Sequence, residues 1–282
     1  MSDVGSAQRI HKLPINLANQ IAAGEVIERP SSVVKELMEN SLDAAAANIT
    51  VDIEKGGSHL IRVHDDGQGI HQDDLELAMD RHTTSKVHNQ ADLERIISLG
   101  FRGEALSSIA AVSRFKMSSC QAESRHGYSI EARPGEQCPK TQPIAHPPGT
   151  TVEVRDLFFN TPARRKFLRS ERTEFLHIQE LIKRIALSRF NTALRLQHNG
   201  RSVFHCASHE NDPDQRVLAV CGKLFVSNTL TVDFSHTGLR LWGWLGTADA
   251  ARSQTDRQYF YLNGRIIRDK RINHAVRMAY QD

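Results

Sequence analysis

Glu36, Asn40 and Asp43 stand at i, i+4 and i+7 within SSVVKELMENSLDAA (31–45). A helix through that segment carries all three on one face. That spacing sets two carboxylates and an amide side by side, groups able to accept protons or hydrogen bonds from whatever meets the face. Val33, Val34, Leu37, Met38 and Leu42 form an apolar stripe on the other side. Any surface helix also shows a polar face opposite such a stripe, so this segment alone leaves solvation and chemistry both open.

Three further segments have the same character. In LIRVHDDGQGI (60–70) Ile61 and Val63 alternate, and Asp65 continues their parity at the end of a strand. A carboxylate in a buried position must find donors, and an adenine amino group is one. Gly67 and Gly69 leave room for a flat base against the backbone, though the same letters also describe an ordinary turn. In LGFRGEALSSI (99–109) Gly100 and Gly103 flank Phe101 and Arg102 and lead into a helix starting near Glu104. Such a loop offers unpaired N–H groups and a positive dipole end to an anion. Arg102, and Lys86 from RHTTSK (81–86), add positive charge near phosphates. PPGTTVEV (147–154) feeds a strand bearing the hydroxyls of Thr150 and Thr151, and taken alone it is plain β-structure. No GxxxxGK[ST] occurs, which excludes a P-loop.

The elements that must position these residues are mixed. Apolar spacing predicts a short helix over 14–28 with a turn at Gly24, then a helix from Pro30 to about Ala46. Strands follow at 49–53 and 60–67 around a Gly56-Gly57 turn. Helical patterns recur at 73–80, 91–98 and 104–112, and strand patterns at 115–120, 127–133 and 150–156. Thr161-Pro162 starts another helix, and 173–189 is amphipathic through Phe175, Ile178, Ile182 and Ile185. A hairpin is expected over 193–206 around Asn199-Gly200. SHENDPDQ (208–215) reads as a linker, followed by strands at 229–234, 239–245 and 258–262 and a helix from about 269. Without strict βαβ alternation, the expectation is an α+β layered fold rather than a doubly wound parallel sheet.

Composition narrows the class. The 282 residues suit two domains, with 39% hydrophobic and 24% charged residues, ordinary for a globular protein. The net charge of +3 neither demands nor excludes nucleic acid. No apolar run approaches the roughly 20 residues a bilayer requires, and MSDVGSAQRIHKLP lacks the hydrophobic stretch of a signal peptide. No membrane association and a cytoplasmic location are therefore expected. Cys120, Cys138, Cys206 and Cys221 show no CxxC pair and read as reduced, metal-free thiols.

In order and spacing the four chemical segments resemble the nucleotide-binding motifs of the GHKL ATPases. The intervening text resembles one branch of them, the MutL family of DNA mismatch repair proteins. The resemblance is carried by NQIAAGEVIERPSSVVKELMENSLDA (19–44), RHTTSK (81–86), SLGFRGEALSSI (98–109), DLFFNTPARRKFL (156–168) and YLNGRIIRDKRINHAVRMAY (261–280). It implies a two-layer α/β sandwich of the GHKL (Bergerat) ATPase fold over 1–207, a linker at 208–215, and a truncated ribosomal S5-like α/β domain over 216–282. It further implies Glu36 as general base, Asn40 as the Mg²⁺ ligand and Asp65 as receiver of the adenine amino group. Gly69 would pack by the base and Thr151 would support an adenine-side water network. Gly100, Arg102, Gly103 and Leu106 at the next helix start match the lid over the phosphates, with Lys86 in a neighbouring segment.

Three positions depart from the family pattern. Asp66 stands where DNG is usual, and Ala45 stands where Gly often follows LDA. The family's phosphate-contacting lysine, in a later strand of the second domain, has no counterpart, so the chain reads as an N-terminal fragment with weak hydrolysis. Residues 252–277 hold Arg252, Arg257, Arg265, Arg268, Lys270, Arg271 and Arg277 against Asp256 and Asp269, net +5. Residues 164–172 add Arg164, Arg165, Lys166, Arg169 and Arg172 against Glu171, net +4. Charge alone leaves a solvated face and a DNA surface open. The resemblance favours DNA, bound through phosphates without sequence preference at Arg265, Arg268, Lys270 and Arg271. It implies ATP-driven homodimerisation and signalling between MutS and strand removal, with MutH and a repair helicase as further partners. The setting would be cytoplasmic, bacterial and nucleoid-associated. A non-hydrolysing ATP-gated DNA clamp and another GHKL enzyme, such as a type II topoisomerase subunit, are the alternatives.

Overall fold

The computed structural model describes residues 14–85, 103–132, 140–247 and 258–280. The elements in chain order are α1 (Ile15–Val26), α2 (Pro30–Asp43), β1 (Asn48–Glu54), β2 (Leu60–Asp65), α3 (Asp74–Leu77), α4 (Ala105–Ala111), β3 (Arg114–Cys120), β4 (Gly127–Ala132), β5 (Gln142–Ile144) and β6 (Gly149–Arg155). They continue with α5 (Pro162–Arg165), α6 (Glu171–Ala186), β7 (Ala193–His198), β8 (Arg201–Cys206), α7 (Pro213–Cys221), α8 (Lys223–Val226), β9 (Thr229–His236), β10 (Leu239–Gly246), β11 (Phe260–Leu262), β12 (Arg265–Ile267) and α9 (Lys270–Ala279).

Eight strands form one mixed sheet in the order β5-β4-β3-β6-β2-β1-β7-β8, antiparallel except for the β1–β7 pair. Strand parity explains which face is buried. Ile49, Val51 and Ile53 of β1, Ile61 and Val63 of β2, Val152 and Val154 of β6, and Leu194 and Leu196 of β7 all point into the core. The opposite parity carries ion pairs along the ladder, Arg62 with Glu153 and Lys116 with Glu131. α2 and α6 cover the apolar face, contributing Val33, Val34, Leu37 and Met38 from one and Phe175, Ile178, Ile182 and Ile185 from the other. This is the expected α+β sandwich, with helices on one face of a mixed sheet.

Some elements differ from the sequence expectation. Gly24 lies within α1 rather than at a turn. A Cβ there would fall 1.1 Å from Nη2 of Arg164, whose guanidinium fills that space and donates to the Ile27 carbonyl. The edge strand β5 was not anticipated. The 208–215 stretch is only partly a connector, because Asp212 caps α7 through its side chain and Pro213 occupies the first turn. Of the cysteines, Cys120, Cys206 and Cys221 are free thiols, and Cys138 lies outside the described residues. After α8 come two antiparallel hairpins, β9–β10 and β11–β12, and the amphipathic α9.

α2 stops at Asp43, short of the expected Ala46, by a defined device. The Ala45 N–H donates to Leu42 O and the Ala46 N–H to Ser41 O, the paired bonds of a Schellman cap. That cap demands a left-handed residue, and Ala45 supplies it at φ 56°. A Cβ in this region costs about 1 kcal/mol relative to glycine. Ala45→Gly is accordingly expected to raise stability by about 1 kcal/mol in chemical denaturation. An unchanged or lowered midpoint would contradict this reading of the cap.

Candidate functional site

α2 presents its second face to an open cleft of about 1750 Å³. Glu36, Asn40 and Asp43 line it from the helix, Asp65 and Gly69 from the end of β2 and its loop, Gly103 and Leu106 from the start of α4, and Thr150 from β6. The i, i+4, i+7 face read from the sequence is therefore a cleft wall. The structure brings Glu36, Asn40, Asp65, Gly69, Gly103 and Leu106 together. Lys86, Gly100 and Arg102 lie outside the described residues.

Asp65 is only 4% exposed. Its Oδ2 accepts from the Ser41 hydroxyl at 2.6 Å, and its Oδ1 accepts from the Gly67 N–H at 3.0 Å and the Thr150 N–H at 3.3 Å. A carboxylate offers about four acceptor positions. Three protein donors thus satisfy most of the charge and leave capacity for one more donor from the cleft. Ser41 was not singled out in the sequence, yet a signal exists. It follows Val34 and Leu37 at the spacing of the buried stripe, and a hydroxyl in that position needs a partner.

The two glycines have a reason within the chain itself. A Cβ on Gly67 would meet Ala44 O at 2.7 Å, and one on Gly69 would meet Cys120 O at 2.2 Å. Gly69 also holds φ 71°. Their lack of a side chain serves close packing of the chain on itself, which shapes the cleft floor. Gly103, at φ 61°, similarly brings its backbone against Thr83, and its carbonyl accepts from the His82 N–H at 3.1 Å. The 81–85 segment and the start of α4 are joined there.

Thr151 requires a correction. It lies on the sheet face opposite Asp65, where its hydroxyl meets His64 Nδ1 at 2.9 Å and His146 Nε2 at 2.8 Å. Thr150, which shares the inward parity of Val152 and Val154, occupies the position beside Asp65. Asp66, the departure from DNG, points away from the cleft and caps Asn48, accepting from its backbone and side-chain nitrogens at 2.7 and 2.6 Å. Burial opposes ionisation of Asp66, but the Asn48 bonds outweigh it and hold the carboxyl below its ordinary pKa.

The cleft wall is acidic. Lys35 Nζ bridges Glu36 Oε1 at 3.1 Å and Glu39 Oε2 at 2.9 Å. Burial would lower the Lys35 pKa, but the bond to Glu39 and the charges of Glu36 and Glu39 outweigh it and hold it above its usual value. Burial raises the Glu39 pKa, with Lys35 opposing and the charges of Glu36 and Asp43 adding to it. A polyanion entering beside Glu36, Glu39 and Asp43 meets repulsion that Lys35 offsets in part and that a bound cation would offset further. Among the described residues no group of three or more His, Cys, Asp or Glu is placed to hold a metal. The amide oxygen of Asn40, on the same wall, is a donor of the kind that a hard cation such as Mg²⁺ accepts.

Arg265, Arg268, Lys270 and Arg271 are exposed on β12 and around the first turn of α9, whose cap is Asp269. Arg164, counted with the basic 164–172 segment, is turned inward to Ile27 and does not belong to that surface.

Residues 27–137 match the family model described as histidine kinase-, DNA gyrase B- and HSP90-like ATPase, and residues 217–282 match the C-terminal domain of DNA mismatch repair protein. DNA mismatch repair protein MutL of Pseudomonas paraeruginosa is 56% identical over 99% of this chain, and that of Vibrio parahaemolyticus is 57% identical over 95%. The chain spans 44% and 40% of the lengths of these relatives. Among solved structures, the Aquifex aeolicus MutL ATPase domain complexed with ADP aligns with a TM-score of 0.69 at 35% identity, covering 90% of this chain and 88% of that one.

Removing the Ser41 hydroxyl strips one donor from a buried carboxylate while leaving the apolar stripe intact. Ser41→Ala is expected to cost about 1 to 3 kcal/mol of folding stability in urea denaturation. A change within about 0.5 kcal/mol, typical of surface substitutions, would show that the bond does not hold α2 to the sheet.

Proposed function

The chain belongs to the MutL family of DNA mismatch repair proteins, and on that premise we propose that it binds ATP with Mg²⁺ in the α2 cleft and hydrolyses it slowly. The observation that carries this reading is the shared cleft: a nearly buried Asp65 with spare acceptor capacity on its floor, and Glu36 with Asn40 on its wall. On this reading Asp65 accepts from the adenine amino group, and Thr150 takes the hydroxyl position assigned by resemblance to Thr151. Gly69 shapes the floor under the base, and Leu106 and Gly103 border the phosphate end. Lys86, Gly100 and Arg102 are proposed as phosphate contacts by resemblance alone.

Bound through Asn40 and the phosphates, Mg²⁺ would supply charge neutralisation to the β- and γ-phosphate oxygens. Glu36 holds a water one helical turn from Asn40 and accepts its proton as the water oxygen bonds to the γ-phosphorus. The bond from that phosphorus to the β–γ bridging oxygen breaks, its electron pair leaves with ADP, and phosphate is released. The ADP complex of the Aquifex aeolicus MutL ATPase domain supports nucleotide binding by this fold.

We further propose the division into an ATPase domain over 1–207 and an S5-like domain over 216–282, consistent with the two family models matched. The exposed Arg265, Arg268, Lys270 and Arg271 would contact DNA phosphates, with binding that weakens steeply with salt. ATP-dependent pairing of two chains, and communication with MutS, MutH and a helicase in a cytoplasmic, nucleoid-associated setting, belong to the same proposal. No helix among the described residues is long and apolar enough to cross a membrane.

Glu36→Ala tests the chemistry. The variant should retain ATP in equilibrium binding while single-turnover phosphate release falls by roughly 10²- to 10⁴-fold. Release at the parent rate would remove Glu36 from the role of base.

A further inference from the structure

Arg216 heads the large side chains withdrawn fully from solvent, with 0% of its surface exposed. It lies on α7, outside the eight-stranded sheet. Its Nη2 donates to the carbonyls of Phe190 at 3.0 Å and Thr192 at 2.7 Å, while no oxygen or nitrogen acceptor among the described residues reaches Nε or Nη1. The neighbouring Cys206 supplies no counter-charge, because burial pushes its thiol above the ordinary pKa despite the guanidinium. A buried cation without a carboxylate carries a desolvation penalty of several kcal/mol. Sequence composition gives no reason to place one here.

The gripped segment explains the placement. Residues 189–192 connect α6 to β7 and have two sides. On one side Arg189, Asn191 and Thr192 line the α2 cleft, and the Thr192 hydroxyl donates to Ala46 O at 3.3 Å, just beyond the cap of α2. On the other side the Phe190 ring lies 6.0 Å from Trp242 and 6.2 Å from Trp244 on β10. Trp244 Nε1 in turn donates to Asp214 on α7 at 2.6 Å. The chain's 2 tryptophans therefore both sit against the back of a cleft-lining segment.

We propose that Arg216 is a positioning residue that couples α7 and the β9–β10 hairpin to the nucleotide: it clamps the Phe190 and Thr192 carbonyls, so a shift of these C-terminal elements is transmitted to the cleft. Linkage makes the coupling reciprocal, and nucleotide binding must then alter the surroundings of Trp242 and Trp244. The inference rests on the α2 cleft being the nucleotide site.

The test uses the whole chain, ADP with Mg²⁺ as the probe, and two readouts on the same samples: equilibrium dialysis for affinity and tryptophan emission for the joint. ADP should change the parent's emission. Arg216→Met keeps the stem and removes the donors; it should weaken ADP binding roughly tenfold and abolish the emission response. Phe190→Leu serves as a second variant should the first not fold. It introduces no unpaired charge, keeps both tryptophans, and should lose the emission response while dialysis still registers ADP. A parent that binds ADP without an emission change would overturn the coupling. So would a folded Arg216→Met, or a Phe190→Leu, that behaves as the parent. A parent that retains no ADP in dialysis would instead overturn the nucleotide site itself, and the coupling with it.

Discussion

Asp65 gathers hydrogen bonds from three separate pieces of chain: the Ser41 hydroxyl on α2, the Gly67 N–H in the loop that follows, and the Thr150 N–H on β6. A carboxylate buried without such donors would cost several kcal/mol. The helix layer, the end of β2 and the neighbouring strand are thus held in one arrangement by the need to satisfy a single group. Because the donors do not exhaust its acceptor capacity, the same requirement that orders the fold leaves a directional, negatively charged acceptor facing the cleft. Structure and proposed chemistry share that constraint.

α2 places the remaining parts by having two working faces. One face buries Val33, Val34, Leu37 and Met38 against the sheet, which fixes the rotation of the helix about its axis. The other face is then turned to the cleft, so Glu36, Asn40 and Asp43 are set by the packing of residues that do no chemistry. The Schellman cap ends the helix where the chain must turn to start β1. It does so with an alanine in a conformation that glycine adopts more readily.

Much of this was legible from residue order. The alternation of Ile61, Val63 and Asp65 predicted a carboxylate on the buried side of a strand, and the periodicity of 31–45 predicted the two-faced helix. The hydroxyl beside Asp65 was legible too, since Thr150 shares parity with Val152 and Val154, whereas resemblance alone pointed to Thr151. The Asp212-Pro213 pair likewise carried a helix-start signal inside an apparent linker. Other features depend on partners distant in sequence. Gly24 is explained by an arginine 140 positions later. Gly67 and Gly69 also pack against the carbonyls of Ala44 and Cys120, contacts that residue order does not reveal. The burial of Arg216 follows from two backbone carbonyls that only the assembled chain brings together.

Asp65 as the reader of the nucleobase is the claim on which the proposed function turns, and a comparison of two diphosphates reaches it without altering the protein. ADP presents an amino group where inosine diphosphate presents a carbonyl, and a carboxylate attracts the first and repels the second. Equilibrium binding in the presence of Mg²⁺ should favour ADP by at least roughly tenfold. Equal affinities would mean that the base is not read by Asp65, whatever else the cleft holds.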